Sequence, residues 1–223
     1  MQPVLHSYFR SSCSWRVRTA LALKGINYEY KAVNLLKSEQ LSDAYRTINP
    51  LGQVPALEID GVMMTQSLPI IEYLEETRPT CSLFPRDPIK RFMTRQVAEM
   101  INAGIQPLQY TAPCTADVNM KNLSMIKFIG ADRKMEVGNT LITKGFEALE
   151  KTLENTSGKY CIGDEVTVAD LFLAPQVYNA LRFNVNMATF PIISRINDGL
   201  AELDAFKVSH PSKQPDCPED LRQ

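Results

Sequence analysis

Histidine is nearly missing: the 223 residues contain two, His6 and His210, far apart and without metal-ligand spacing to each other or to the cysteines. No structural zinc, and no metal at all, is expected. No apolar run approaches the roughly 18 residues a membrane-spanning helix needs. The opening Met1-Gln2-Pro3-Val4-Leu5-His6 lacks a positive lead followed by a long apolar run, so no secretory signal is visible and a cytoplasmic location is expected. Net charge is also close to nil. With 24 Lys plus Arg against 25 Asp plus Glu, there is no global field to attract nucleic acid or an anionic membrane, and any basic site must be local. The cysteines, at 13, 81, 114, 161 and 217, are an odd and scattered set. That favours reduced thiols over a disulfide framework. Low-complexity sequence and internal repeats are missing too. What remains is an ordinary globular composition, 44% hydrophobic, enough for one large domain or two small ones.

Ser11-Ser12-Cys13-Ser14-Trp15-Arg16-Val17-Arg18 is the stretch with the most chemistry in it. Val4 to Phe9 before it reads as a short strand, and Val17, Ala20 and Leu21 after it form one apolar helical face that ends at Gly25. The small hydroxyl residues therefore sit at a helix start, where unpaired N–H groups and the positive end of the helix dipole favour an anion. Either Cys13 is that anion, as a thiolate lowered from its ordinary value of about 8.5, or a serine hydroxyl donates to the sulfur of a bound thiol. No second cysteine lies close enough for a dithiol mechanism. The plain alternative is that Ser11, Ser12 and Ser14 only cap a helix.

Along the chain, Tyr28 to Val33 reads as a second strand. A helix starting at Ser38 is closed by Asn49-Pro50, since the residue before proline avoids the helical region. Gln53 to Ile59 and Val62 to Met64 form a hairpin about Asp60-Gly61. Gln66-Ser67 then caps a helix from Leu68 to about Thr77, buried through Ile70, Ile71 and Leu74. This β-α-β-α-β-β-α order, with a proline opening the third strand, is the thioredoxin pattern. Arg78 to Pro88 holds three prolines and reads as a linker, and Asp87-Pro88 is a strong helix start. Beyond Ile89 strand signals vanish and an all-helical domain is expected. It comprises a helix to about Gln109, a loop over Thr111 to Asp132, and a helix from Lys134 to Glu154 apolar through Leu141, Phe146, Leu149 and Leu153. A central helix from Val168 follows, opened by a Thr167/Asp170 capping box, then a helix at Pro191. The tail after His210 reads as an extended surface strap.

This layout resembles the cytosolic glutathione transferases, and the Ser11 to Arg18 motif resembles their zeta class in particular. The likeness runs on through Asn49-Pro50, Gln53-Val54-Pro55, Gln66-Ser67-Leu68, Ile71 to Pro79, Gly104 to Gln109, Gly163 to Thr167 and Val208 to Pro211, and fails from Tyr110 to Asn139. The resemblance implies an α/β thioredoxin-like N-terminal domain over 1–83, a linker at 84–88 and an all-α C-terminal domain over 89–223. It implies glutathione as cofactor, held by Ser11, Ser12, Cys13, Ser14, Trp15, Arg16, Gln40, Val54, Gln66, Ser67 and Gln106. Ser11, Ser12 and Cys13 are the implied catalytic residues, Val54-Pro55 the implied cis peptide, and Arg10 and Arg182 the groups implied for the substrate's carboxylates. The implied activity is cis–trans isomerisation of maleylacetoacetate to fumarylacetoacetate, in tyrosine and phenylalanine breakdown, with transfer to small α-halo acids and a homodimeric assembly. Competing readings are a thiol transferase or dehydroascorbate reductase working through Cys13, a general detoxifying transferase, and a binding protein on the same fold.

Overall fold

The computed structural model describes residues 2–108 and 133–222. The loop expected over Thr111 to Asp132, and the divergent stretch from Tyr110 onward as far as residue 132, lie outside the described residues. The chain divides into two compact units, Met1–Ser82 with Ala201–Gln223, and Leu83–Leu200.

The first unit holds one four-stranded sheet: β1 (Val4–Ser7), β2 (Glu29–Ala32), β3 (Ala56–Ile59) and β4 (Val62–Thr65), in the order β2-β1-β3-β4. Strand β1 runs parallel to β2, with Leu5 opposite Tyr30, and antiparallel to β3, with Leu5 opposite Leu57. A parallel pair needs a crossover, and helix α1 (Ser12–Leu23) supplies it. Strands β3 and β4 are antiparallel, joined by Asp60 and Gly61 at φ 54° and 77°, the double left-handed turn that matches strand twist. Helix α1 buries Val17, Ala20 and Leu21, and α3 (Ser67–Thr77) buries Ile70, Ile71 and Leu74. These residues and the inner strands' Leu5, Leu57 and Ile59 form the core, each valine, leucine and isoleucine contributing about 1.5–3 kcal/mol on burial.

Helix α2 (Asp43–Ile48) starts five residues after the expected Ser38, which instead lies at φ 58°. The physical reason is local competition. The Asn34 side chain accepts from the Leu36 and Lys37 N–H groups and nucleates a 3-10 turn, and a second such turn follows before Ser42 caps α2. Strand β3 begins at Ala56, after Pro55, which has no N–H to give the ladder.

The tail differs most from expectation. It is not an extended surface strap, and it clusters with the sheet unit rather than with the helices that precede it in sequence. Pro211, Ser212, Gln214 and Cys217 are buried, and the Trp15 indole donates to the Ser209 hydroxyl at 3.0 Å while its ring meets His210 edge-on at 5.1 Å. Arg18, wholly buried, donates from Nε to the Ser209 carbonyl at 3.1 Å.

In the second unit α4 (Pro88–Glu99) starts as expected: the Asp87 carboxylate accepts from the Lys90 N–H at 2.8 Å and Pro88 takes the first helical position. In place of a continuous helix to Gln109, the chain widens into a π turn at Met100–Ile105 and tightens into a 3-10 turn at Gln106–Leu108. Helix α5 (Lys134–Thr156) buries Gly138, Ile142, Phe146, Leu149 and Leu153, and the expected Leu141 beside this row is only half-buried. Its Gly145 faces Ile105 so closely that a Cβ there would clash with the isoleucine side chain. Helix α6 (Val168–Arg182) is buried nearly all round, and α7 (Pro191–Ala201) follows. Helix α8 (Asp204–Ser209) belongs to the tail.

Both histidines lie in the first unit. Burial, then Lys31, lowers the pKa of His6, and burial, then Arg18 and Lys213, lowers that of His210. A depressed folded-state value means the unfolded chain binds more protons, so this stability is present above the unfolded value near 6.5 and is lost as pH falls through the folded values. Urea midpoints are therefore expected to drop as pH falls below about 6.5. The double variant His6→Gln/His210→Gln should flatten that part of the profile, and an unchanged slope would contradict the assignment.

Candidate active site

The site is built from the places where the sheet unit's backbone is not consumed by its own fold. Ser11 caps α1: its Oγ accepts from the Ser14 N–H at 3.2 Å. The hydroxyl proton has no acceptor among the described residues and can be donated to a ligand atom beyond the helix start while Oγ accepts from Ser14. Ser12 is buried beside it and Cys13 is half-buried with a free thiol. Ser14 faces the other way: it is fully buried, and its Oγ has no partner among the described residues.

Val54 offers a second such edge. The Val54-Pro55 peptide is cis, and neither the Val54 N–H nor its C=O has a hydrogen-bond partner among the described residues. The residue before it is fixed, since the Gln53 carbonyl accepts from the Tyr45 hydroxyl and the Asn49 side-chain amide, both at 2.8 Å. Sequence reasoning missed Tyr45 and Asn49, which carry no local signal for this role. Gly52, at φ +60°, lets this loop close on residue 40: a Cβ there would stand 2.9 Å from the Gln40 carbonyl oxygen. Gln40 itself is buried with its side-chain Oε1 unpartnered among the described residues, an acceptor waiting for a donor.

The third element is the start of α3. Gln66, the residue before it, sits at φ 70° and ψ 123° and gives no side-chain cap. A non-glycine residue held at positive φ costs on the order of 1–3 kcal/mol, and such strain gathers at functional positions. The N–H groups of Ser67 and Leu68 have no hydrogen-bond partner among the described residues, and Pro69 has none to offer. Behind them the wholly buried Arg16 donates from Nη1 to the Ser67 Oγ at 3.2 Å. Helix dipole and guanidinium together suit a carboxylate.

Contacts within the first unit bring these pieces together: Arg16 of α1 touches Ser67, Gln66 donates to Gln53 at 3.4 Å, and Val54 packs in a cluster with Tyr8 and Phe9. The Trp15 side chain is buried and donates to Ser209, and the Ser14 side chain is fully buried in a helix whose residues from 14 to 21 are all buried. Arg16 acts from behind Ser67. Arg10 is half-buried with its guanidinium 5.8 Å from the Phe9 ring, and makes no ion pair among the described residues. In the second unit, Gln106 is buried in the 3-10 turn, and Arg182 is exposed at the end of α6, where it donates to the Asn179 side chain at 3.3 Å.

The donors and acceptors fit glutathione, a peptide with a thiol, an extended backbone and a terminal carboxylate. Residues 10–77 match the family model of the glutathione S-transferase N-terminal domain, and residues 122–205 that of the C-terminal domain. Rat maleylacetoacetate isomerase is 54% identical over 223 residues, which span 99% of this chain and 98% of the rat protein. Among solved structures, maleylacetoacetate isomerase from Anaeromyxobacter dehalogenans with GSH bound in its active site is 40% identical with a TM-score of 0.84, over 97% of this chain and 98% of that one. The holo structure of a bacterial maleyl pyruvate isomerase of the zeta class is 39% identical with a TM-score of 0.88, over 96% and 100%. Both halves of the fold and nearly the full length are thus accounted for, and the chain belongs to the zeta class of the glutathione S-transferase family.

Proposed function

We propose that this protein is a glutathione-dependent cis–trans isomerase that converts maleylacetoacetate to fumarylacetoacetate, serving tyrosine and phenylalanine breakdown in the cytoplasm, with transferase activity toward small α-halo acids. The observation that carries the reading is the Ser11 hydroxyl, whose oxygen is committed to the Ser14 N–H and whose proton is left to donate. When bound, glutathione supplies a thiolate that adds reversibly to an activated double bond, leaving a single bond about which rotation is free.

The chain's own residues bind, orient and neutralise. Ser11 donates to the sulfur and, with the start of α1, stabilises its charge. Ser12 and Cys13 line the same turn. The Val54 N–H and C=O pair with the peptide's backbone as an added strand would. Ser67 and the start of α3, backed by Arg16, take the γ-glutamyl carboxylate, while Gln66, Gln40 and Gln106 supply side-chain amides. Arg10 and Arg182 hold the substrate's carboxylates and offset the charge that develops on its oxygens. Conversion needs no redox partner and no net proton. A homodimer is part of the proposal, supported by exposed Leu36, Leu51 and Val62 in the first unit and by Ile89 and Phe92 on α4 in the second.

The test is to follow loss of the cis isomer of maleylacetone with and without glutathione, beside a dehydroascorbate reduction assay. Fast isomerisation that requires glutathione is the expected result. Dehydroascorbate reduction without isomerisation would hand the site to Cys13 and overturn the isomerase reading.

A further inference from the structure

Between the end of β1 and Ser11 the backbone leaves the sheet, and side chains take over from the ladder in holding it. The Tyr8 carbonyl accepts from Arg18 Nη1 at 3.3 Å and from the Ser11 N–H at 3.0 Å, and the Phe9 carbonyl accepts from Arg18 Nη2 at 3.0 Å. The Phe9 N–H is held from the far end of the chain: it donates to Asp216 Oδ2 at 2.9 Å, while Asp216 Oδ1 accepts from the Tyr30 hydroxyl at 2.6 Å. Burial above all keeps the Tyr30 phenol above the usual tyrosine range, so it stays a donor.

The neighbouring Cys217 is buried in an apolar cluster with Tyr8, Phe9, Val33, Tyr45 and Val54. One dipeptide of the tail therefore bonds to the segment that presents Ser11 and shares an apolar cluster with the residue whose backbone is unpaired. The tail is itself well fixed: Gln214 Nε2 donates to the Val208 and His210 carbonyls at 2.9 Å each, and the Cys217 N–H donates to the Gln214 carbonyl at 3.0 Å. A carboxylate so anchored works as a fixed post against which the Tyr8 to Ser11 turn is set.

We propose that Asp216 is a positioning residue for the thiol site: by holding the Phe9 amide it sets the Tyr8 to Ser11 turn, and with it the aim of the Ser11 hydroxyl at a bound sulfur. This rests on the glutathione site proposed above. Misplacement of a reacting group by about 1 Å can cost on the order of 100-fold in rate, and Phe9 is two residues from Ser11.

The test titrates the ultraviolet thiolate absorbance of the enzyme–glutathione complex against pH for the full-length wild type, Asp216→Ala and Asp216→Asn, with isomerase kcat measured alongside. Asp216→Ala is expected to raise the apparent pKa of the bound thiol by about one unit and to cut kcat near neutral pH about tenfold. Asp216→Asn keeps an oxygen for the Phe9 N–H and offers its amide to the Tyr30 oxygen, so it should stay within about twofold of wild type. A tail that merely stabilised the fold would lower the melting temperature and leave the thiol titration where it was. Superimposable titrations for wild type and Asp216→Ala overturn the proposal. Should Asp216→Ala fail to fold, Tyr30→Phe decides, since it loosens the carboxylate without touching Phe9. A smaller upward shift supports the proposal and no shift overturns it. A wild type that forms the thiolate but does not isomerise defeats the proposed activity alone, and one that forms no thiolate defeats both.

Discussion

Alanine at position 11 is expected to lower glutathione-dependent isomerisation about 100-fold in kcat/KM, the usual consequence of removing one well-aimed donor from a developing or stabilised anion. That factor corresponds to about 2.7 kcal/mol of lost stabilisation. It should appear as a bound thiol that is harder to deprotonate, since no other hydroxyl at the turn combines an accepted hydrogen bond from Ser14 with an uncommitted proton. The same substitution removes the α1 cap, at about 1 kcal/mol of stability, so the melting temperature should fall only slightly and the two effects can be separated. Cys13→Ala is the contrast. The Cys13 thiol has no hydrogen bond among the described residues, and the proposed reaction uses the sulfur of glutathione only, so activity should stay within about threefold of wild type. Comparable losses in both variants would place the chemistry on the cysteine.

What could be foreseen from the chain and what could not divides along a physical line. Features set by residues within a few positions of one another were legible: the hairpin at Asp60-Gly61, the Asp87-Pro88 start, the Asp170 box and the cap at Ser11 each rest on one side chain and its near neighbours. Where two local signals compete, the order of strength is not in the sequence pattern. Asn34 and Ser42 both capture backbone N–H groups and push the start of α2 to Asp43, and the wide turn at Met100–Ile105 lies opposite Gly145 with no signal of its own. Partners far apart in sequence were not legible at all. The docking of the tail through Trp15, Arg18 and Asp216 depends on contacts that only the folded unit creates. In the site itself, the Ser11 cap and the position of the α3 start were visible, but the side-chain cap expected from Gln66-Ser67 is not made. The strained Gln66 and the burial of Ser14 and Trp15 were not visible, because neither has a marker in the local sequence pattern.

Asp170→Ala should be the most damaging single change to the helical unit, costing about 2–6 kcal/mol, the cost of leaving two buried backbone N–H groups without an acceptor. The carboxylate is wholly buried and accepts three hydrogen bonds: from the Cys161 N–H at 2.9 Å, the Thr167 N–H at 2.8 Å and the Thr167 hydroxyl at 3.0 Å. Burial pushes this carboxyl above its ordinary value, and the donors pull it back. Alanine leaves two backbone N–H groups dry and unmatched, each worth about 1–3 kcal/mol, at the mouth of a helix buried almost throughout. Set against total stabilities of about 5–15 kcal/mol, the variant should show a much lower urea midpoint or fail to accumulate as folded protein at 37 °C. Asparagine is no rescue despite its matching shape. One oxygen takes Cys161 and the other takes Thr167, so whichever becomes an amide group turns a donor toward a backbone donor. Asp170→Asn is therefore expected to recover less than about half of the lost stability. An alanine variant within about 1 kcal/mol of wild type would mean that the orphaned N–H groups find other acceptors, and that the helix start is held by its apolar packing instead.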